Sequence, residues 1–171
     1  MVGDYVAMDI QKRYWRFLVQ IKAWIFYLDV YAESSYKWDR RINIFTAITS
    51  SASIAAWTIW SKYNFIWGAI IAVSQIVSAI KQYLPYSKRL EIIRPFIADL
   101  QLLFTKADYM WFKVANGELT ENEINEELFS LKKRYAELEQ KHLKQNSLVE
   151  NKKFRDMADQ KTDEYFTSNY C

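Results

Sequence analysis

Two charge-free runs held almost against each other constrain this chain more than any other feature. Ile42 to Trp60 reads INIFTAITSSASIAAWTIW, nineteen residues without Asp, Glu, Lys or Arg; Asn64 to Ile80 reads NFIWGAIIAVSQIVSAI and extends through Gln82, Tyr83 and Leu84 around Lys81. At a rise of about 1.5 Å per residue the first run covers about 28 Å, close to the ~30 Å hydrocarbon thickness of a bilayer. The second run is shorter and needs its flanks. Ser61, Lys62, Tyr63 and Asn64 join the two, and so short a connection makes the helices antiparallel neighbours. The expectation is a transmembrane hairpin over 42–60 and 64–84.

Composition agrees with helices throughout. Three Gly and two Pro in 171 residues are too few for the turns that strands require, so the chain reads as all-α. A mean hydropathy of -0.23 averages an apolar middle with charged flanks and says little about either. The formal charge of +3 is too small for a phosphate-binding face, and no nucleic-acid partner is implied. Cys171 is the only cysteine, which excludes an internal disulfide, and it lacks the context of a lipid anchor. The start MVGDYVAMDIQKRYW lacks the basic and apolar regions of a cleavable signal.

The ends of the hairpin carry aromatic rings that prefer the headgroup level: Trp57, Trp60, Tyr63 and Trp67 at the turn, Tyr36, Trp38, Tyr83 and Tyr86 at the open end. Lys37, Arg40, Arg41, Lys81, Lys88 and Arg89 flank the open end, whereas Lys62 alone marks the turn. That asymmetry places both termini on the cytoplasmic side of a bacterial inner membrane. The competing reading is a hairpin buried in a soluble helical protein, which seldom needs nineteen uncharged positions or two aromatic belts.

Outside the hairpin the apolar residues keep helical rhythm. Tyr14, Leu18, Ile21, Ile25, Leu28 and Ala32 alternate at four and three, with Phe17, Trp24, Tyr31 and Trp38 as a second stripe, giving an amphipathic helix over 9–38 whose wide face wants several partners or a membrane surface. Leu90, Ile93, Ile97, Leu100, Phe104, Ala107, Trp111 and Val114 mark a helix over 86–116 that Pro95 should bend or delay and that Asn116-Gly117 stops. Thr120 and Glu123 have capping-box spacing and precede a seam of Ile124, Leu128, Leu131, Tyr135, Leu138 and His142, a helix over 121–146 antiparallel to the last. Ser147 and Glu150 repeat that spacing before a terminal helix over 148–166 carrying Leu148, Phe154, Met157, Lys161, Tyr165 and Phe166. With no linker or repeat, 1–171 reads as one domain.

No catalytic constellation emerges. His142 and Cys171 are each alone, and no Gly-rich loop follows a strand, so enzyme, metal and cofactor readings are all unsupported. His142 reads as a seam residue. The informative polar residues lie inside the hairpin: Asn43, Thr46, Ser50 and Ser53 share one helical face, and Gln75, Ser78 and Gln82 share another beside Ser74. Pairing through the turn puts Ser50 level with Gln75 and Asn43 level with Gln82. These groups serve either as interhelical glue or as the lining of a water-filled path in an oligomer.

The aromatic leader KRYWRFLVQIKAWIFYLDVYAESSYKWDRR, the small-residue hairpin and the ending DQKTDEYFTSNY, with Thr162, Tyr165, Phe166 and Tyr170, together resemble the SLATT superfamily. These are two-transmembrane effectors associated with SMODS nucleotidyltransferases and SLOG domains in bacterial conflict systems. The resemblance implies a homo-oligomer in contact with membrane lipids, triggered by a nucleotide-signalling or sensor protein, that perforates or depolarises the inner membrane in anti-phage defence. This chain has no recognisable nucleotide-sensing domain, so the trigger comes from another polypeptide or binds an unidentified surface. A second expectation is a non-enzymatic membrane-anchored scaffold that binds a protein through its cytoplasmic helices, and a third is a soluble helical bundle.

Overall fold

The computed structural model describes residues 2–59, 64–81, 86–143, 148 and 150–170, with side chains for all of these except 2–9, 50–59, 64, 67, 81 and 86–88. The described chain is all-α, in five helices: α1 (Val2–Ile59), α2 (Asn64–Lys81), α3 (Tyr86–Ala115), α4 (Glu121–Leu143) and α5 (Lys152–Tyr170). They form two compact units. Unit 1 comprises Met1–Ala32 with Ile92–Cys171, and unit 2 comprises Glu33–Glu91.

The boundary expected between an amphipathic helix ending at 38 and a hairpin helix starting at 42 does not exist, because α1 is continuous from Val2 to Ile59. Nothing between Glu33 and Asn43 can break a helix: there is no Gly or Pro, and the charged residues satisfy one another at helical spacing. Lys37 pairs with Glu33 at 2.7 Å, and Asn43 Nδ2 donates to Asp39 Oδ2 at 2.9 Å, each across one turn. What changes there is the surroundings of the helix, not its backbone. Among the described residues no helix is long and apolar enough to cross a membrane.

Unit 1 is a four-helix bundle with alternating directions. Tyr14 donates its hydroxyl to Ala107 O at 3.0 Å, and Gln11 its amide to Val114 O at 3.3 Å, so α3 runs antiparallel to α1. Lys106 meets Glu127 and Lys141 meets Asp99, which reverses α4 against α3. Tyr31 packs on Phe154 and Trp15 on Tyr170, which sets α5 antiparallel to α1. The core is the set of stripes read from the sequence: Tyr14, Leu18, Ile21, Ile25 and Leu28 from α1, Ile93, Leu100 and Ala107 from α3, and Leu128, Leu131 and Leu138 from α4 are all sealed from solvent.

Local stops and starts follow their residues. Gly117 takes a φ of 71°, the left-handed turn that only glycine enters without strain. Glu118 N–H then bonds Lys113 O and Gly117 N–H bonds Val114 O, a Schellman closure of α3. Thr120 and Glu123 form the expected reciprocal cap of α4, Thr120 N–H to Glu123 Oε2 at 2.8 Å and Glu123 N–H to Thr120 Oγ1 at 3.4 Å. Glu123 is held below the usual carboxylate range by those bonds. The helix α3 runs through Pro95 rather than starting after it. Proline leaves the carbonyl four residues earlier without a partner, and that residue, Glu91, is where unit 2 ends.

The last helix departs most from expectation. It begins at Lys152 and reaches Tyr170, capped by Asn151, whose Oδ1 accepts from Lys153 N–H at 3.0 Å; Ser147, the cap expected from spacing, lies outside the described residues. Its buried stripe is Ala158, Thr162 and Phe166, whereas Met157 and Lys161 are exposed. Small side chains let α5 approach closely, and the Thr162 hydroxyl is satisfied by Ala158 O at 2.7 Å.

Leu100→Ala should cost about 2–5 kcal/mol through loss of buried area plus a cavity. Tyr14→Phe, which removes the hydroxyl's bond to the Ala107 carbonyl but keeps the ring, should cost about 1 kcal/mol. Denaturant titration followed by helical circular dichroism measures both.

Candidate functional site

Unit 2 has the reverse of the ordinary distribution of side chains. Among its described residues the two buried side chains are both serine, Ser35 and Ser74, while Ile44, Ile48, Phe65, Ile66, Val73, Ile76 and Ile80 are exposed, Phe65 at 89%. On α2 the arrangement is geometric. At about 100° per residue, Phe65 and Ile76 lie on the side opposite Ser74, with Val73 and Ile80 between. Scattered exposed apolar residues need no explanation, but a continuous apolar face with polar groups turned inward marks a surface that meets something other than water.

The polar hairpin residues fall in different places. Ser74 is buried and donates to Ile71 O at 2.8 Å, and Thr46 donates to Ile42 O at 2.7 Å. Asn43 is exposed, its amide given to Asp39 on its own helix. Gln75 and Ser78 are exposed, Gln75 at the margin of the apolar face of α2 and Ser78 nearer the Ser74 side, and Gln75 makes no hydrogen bond to a described residue. Ser50, Ser53 and Gln82, and with them both expected cross-helix pairs, lie outside the described residues or side chains. So do Trp57, Trp60, Tyr63, Trp67, Tyr83 and Tyr86 of the belts. Trp38 is described and half exposed, with the Arg41 guanidinium 5.6 Å from its ring.

In unit 1 the residues of the ending DQKTDEYFTSNY clasp the bundle. Phe166 and Tyr170 meet the Trp15 ring edge-on at 5.0 and 5.2 Å, and the Tyr170 hydroxyl donates to Asp108. Burial and the neighbouring Asp108 push the Tyr170 phenol well above its ordinary range. Tyr165 covers Lys22, whose ammonium stands 3.9 Å from that ring, 4.5 Å from Phe104 and 5.1 Å from Phe26. Burial lowers the Lys22 pKa, partly offset by Asp108 and Asp29. The same burial raises Asp29, opposed by Lys161 and Lys22. Three helices thus surround one cation with π faces and carboxylates.

Two cavities open on the bundle. One, of about 540 Å³, lies among Trp24, Tyr27, Tyr135, Glu139 and Arg155. Arg155 is paired with Glu150 at 2.6 Å, and burial together with the neighbouring Glu139 raises the Tyr135 phenol pKa, whereas the buried Trp24 Nε1–H has no hydrogen-bond partner among the described residues. The other, of about 720 Å³, is walled by Trp15, Trp111, Phe166, Tyr170 and Asp163. Trp15 and Asp163 were not singled out in the sequence. Trp15 stands seven residues before Lys22 beside the core stripe, and that spacing is the signal that would have found it.

His142 joins the seam as expected, under Phe96 at 5.4 Å. Its Nε2 lies 2.8 Å from Asp99 Oδ2, which also accepts from Lys141 Nζ at 2.8 Å. A carboxylate only accepts, so Nε2 carries the proton. No group of three or more potential metal ligands occurs among the described residues. No known family, curated protein or solved structure matches the chain.

The bonds from Lys141 and then His142 hold the Asp99 carboxyl below its ordinary 3.8. The folded protein therefore binds that proton less readily than the unfolded chain, and the clamp contributes fully above the unfolded value, fading as pH falls through the lowered one. Wild type should exceed Asp99→Asn in melting temperature at pH 7, and the gap should close below about pH 4; parallel thermal melts across that window check it.

Proposed function

We propose that this chain is a membrane-inserted, non-enzymatic effector of a bacterial defence system, in which unit 2 occupies the lipid of the inner membrane and unit 1 receives the trigger on the cytoplasmic side. The observation that carries the reading is the inverted polarity of unit 2, with serines inside and Ile, Val and Phe outside. In water such a surface is costly at roughly 25 cal/mol per Å² of exposed apolar area. In hydrocarbon it costs nothing, and buried small polar groups become the favourable contacts between helices.

By itself α2, at 18 residues, rises about 27 Å, somewhat under the ~30 Å of hydrocarbon, so a complete span draws on the residues that flank it in sequence. Gln75 is the reason to invoke association. An amide with no partner among the described residues must, once in lipid, find one on another copy or in water, and a partner on another copy makes a homo-oligomer able to perturb the bilayer. The resemblance to two-transmembrane conflict effectors points the same way.

A membrane-anchored scaffold is the second reading, favoured by one observation. Leu102, Tyr109 and Phe112 make an exposed apolar stripe on α3, suited to a protein partner.

The wild-type chain should pellet with membranes and need detergent for release. Val73→Asp with Ile76→Asp should move it toward the supernatant, each carboxylate costing about 2.5–3.5 kcal/mol at a helix centre in lipid. Overproduction should collapse the membrane potential reported by a dye, and Ser50→Ala with Gln75→Leu should blunt that collapse. Wild type in the supernatant without detergent refutes the proposal; membrane-bound protein with unchanged potential leaves the scaffold standing in its place.

A further inference from the structure

The second cavity of unit 1 is unlike the rest of the bundle surface. It measures about 720 Å³, and four of its walls are the rings of Trp15, Trp111, Phe166 and Tyr170. Trp15 is the hub, 4.9 Å from Trp111, 5.0 Å from Phe166 and 5.2 Å from Tyr170, tilted or edge-on to each. The rings brace one another along one side of an open depression, with Asp163 and Thr167 completing its lining. Asp163 adds a carboxylate that is exposed and has no partner among the described residues. No basic side chain stands in the wall.

We propose that this cavity binds an alkylammonium cation. Aromatic faces present negative potential, and a cation near several of them is attracted by about 0.5–1 kcal/mol at exposed sites and about 2 kcal/mol or more where water is excluded. A neutral apolar ligand would gain nothing from Asp163, and an anion would be repelled by it.

Unit 1 already contains the same construction with its cation built in. Around Lys22, the rings of Phe26, Phe104 and Tyr165 hold an ammonium between α1, α3 and α5. Trp15 lies seven residues before Lys22 on α1, and Trp111 seven residues after Phe104 on α3. Because α1 and α3 are antiparallel, both steps lead the same way, two turns along the bundle. The second tier repeats the first with an indole where the lysine stood. One tier supplies its own cation; the other has rings and the Asp163 carboxylate around an open cavity and no cation of its own among its lining residues. The volume admits a trimethylammonium group with several atoms of the chain that bears it.

The test is calorimetric titration of the full chain in a neutral maltoside detergent with choline and with its uncharged carbon isostere, 3,3-dimethylbutan-1-ol. Choline should bind saturably and at least tenfold more tightly than the isostere. Trp111→Leu should weaken choline about tenfold. Because that change touches packing, Asp163→Asn and Asp163→Lys on the exposed wall give an independent reading: the first should weaken choline two- to fivefold, and the second, which places an ammonium beside the rings as Lys22 does, should abolish binding. No saturable choline binding, equal affinity for the isostere, or unaltered choline affinity in Asp163→Lys would each overturn the proposal.

Discussion

The apolar face of α1 between Ile10 and Tyr31 is the surface on which the rest of unit 1 is assembled. It meets α3 through Tyr14 and Gln11, α4 through Phe17 on Tyr135, and α5 through Trp15 and Tyr27. A stripe that served one neighbour would need two positions per heptad; this one serves three and fills more of the circumference. Two tyrosine hydroxyls carried inward are matched, Tyr14 donating to the Ala107 carbonyl and Tyr27 accepting the Asn151 N–H at the α5 cap, while the Trp24 Nε1–H has no partner among the described residues. That matching lets tyrosines stand where a leucine would otherwise be required, because a hydroxyl buried without a partner costs more than its ring contributes at the margin.

Much of this was legible in the sequence, and the reasons are physical. Helical periodicity identified most core positions of α3 and α4, although Leu90, Trp111, Tyr135 and His142 are only half-buried and Phe96, fully buried, was missed; capping residues act through their own backbone, so Thr120, Glu123 and Gly117 behaved as read. The α5 stripe was misassigned because close approach selected Ala158 and Thr162, small or polar residues that hydropathy passes over, in place of Met157 and Lys161. The supposed break near residue 40 failed because composition changes there without any residue able to stop a helix. As for the sites, the polar faces of the hairpin were visible at helical spacing, but how Asn43 spends its amide depends on Asp39 one turn away. The ring cavity was out of reach, since Trp15, Trp111 and Asp163 come together only when helices distant in sequence pack.

Among the described residues the two units distribute their side chains oppositely along the same kind of element. Large side chains on the first half of α1 point into a core; in unit 2 the large side chains on α1 and α2 point out, and serines take the protected positions. This contrast also accounts for the mild mean hydropathy of -0.23, an average over one part built like a water-soluble bundle and one built like its inverse. The Lys22 cage belongs to the first logic. It holds a charge in a half-buried place where rings and two carboxylates replace part of the water the ammonium gives up.

The order in which the bundle closes is set by ribosomal synthesis. The contacts that cover α1 link residues 93, 103 and 124 positions apart, and every one of those partners is made after α2. During translation the first half of α1 therefore leaves the ribosome with its apolar face bare, and stays so until α2 and then α3 to α5 have followed it out. A nascent chain in that condition exposes its longest apolar stripe well before it is a folded protein, and the residues that cover that stripe are among the last to be made.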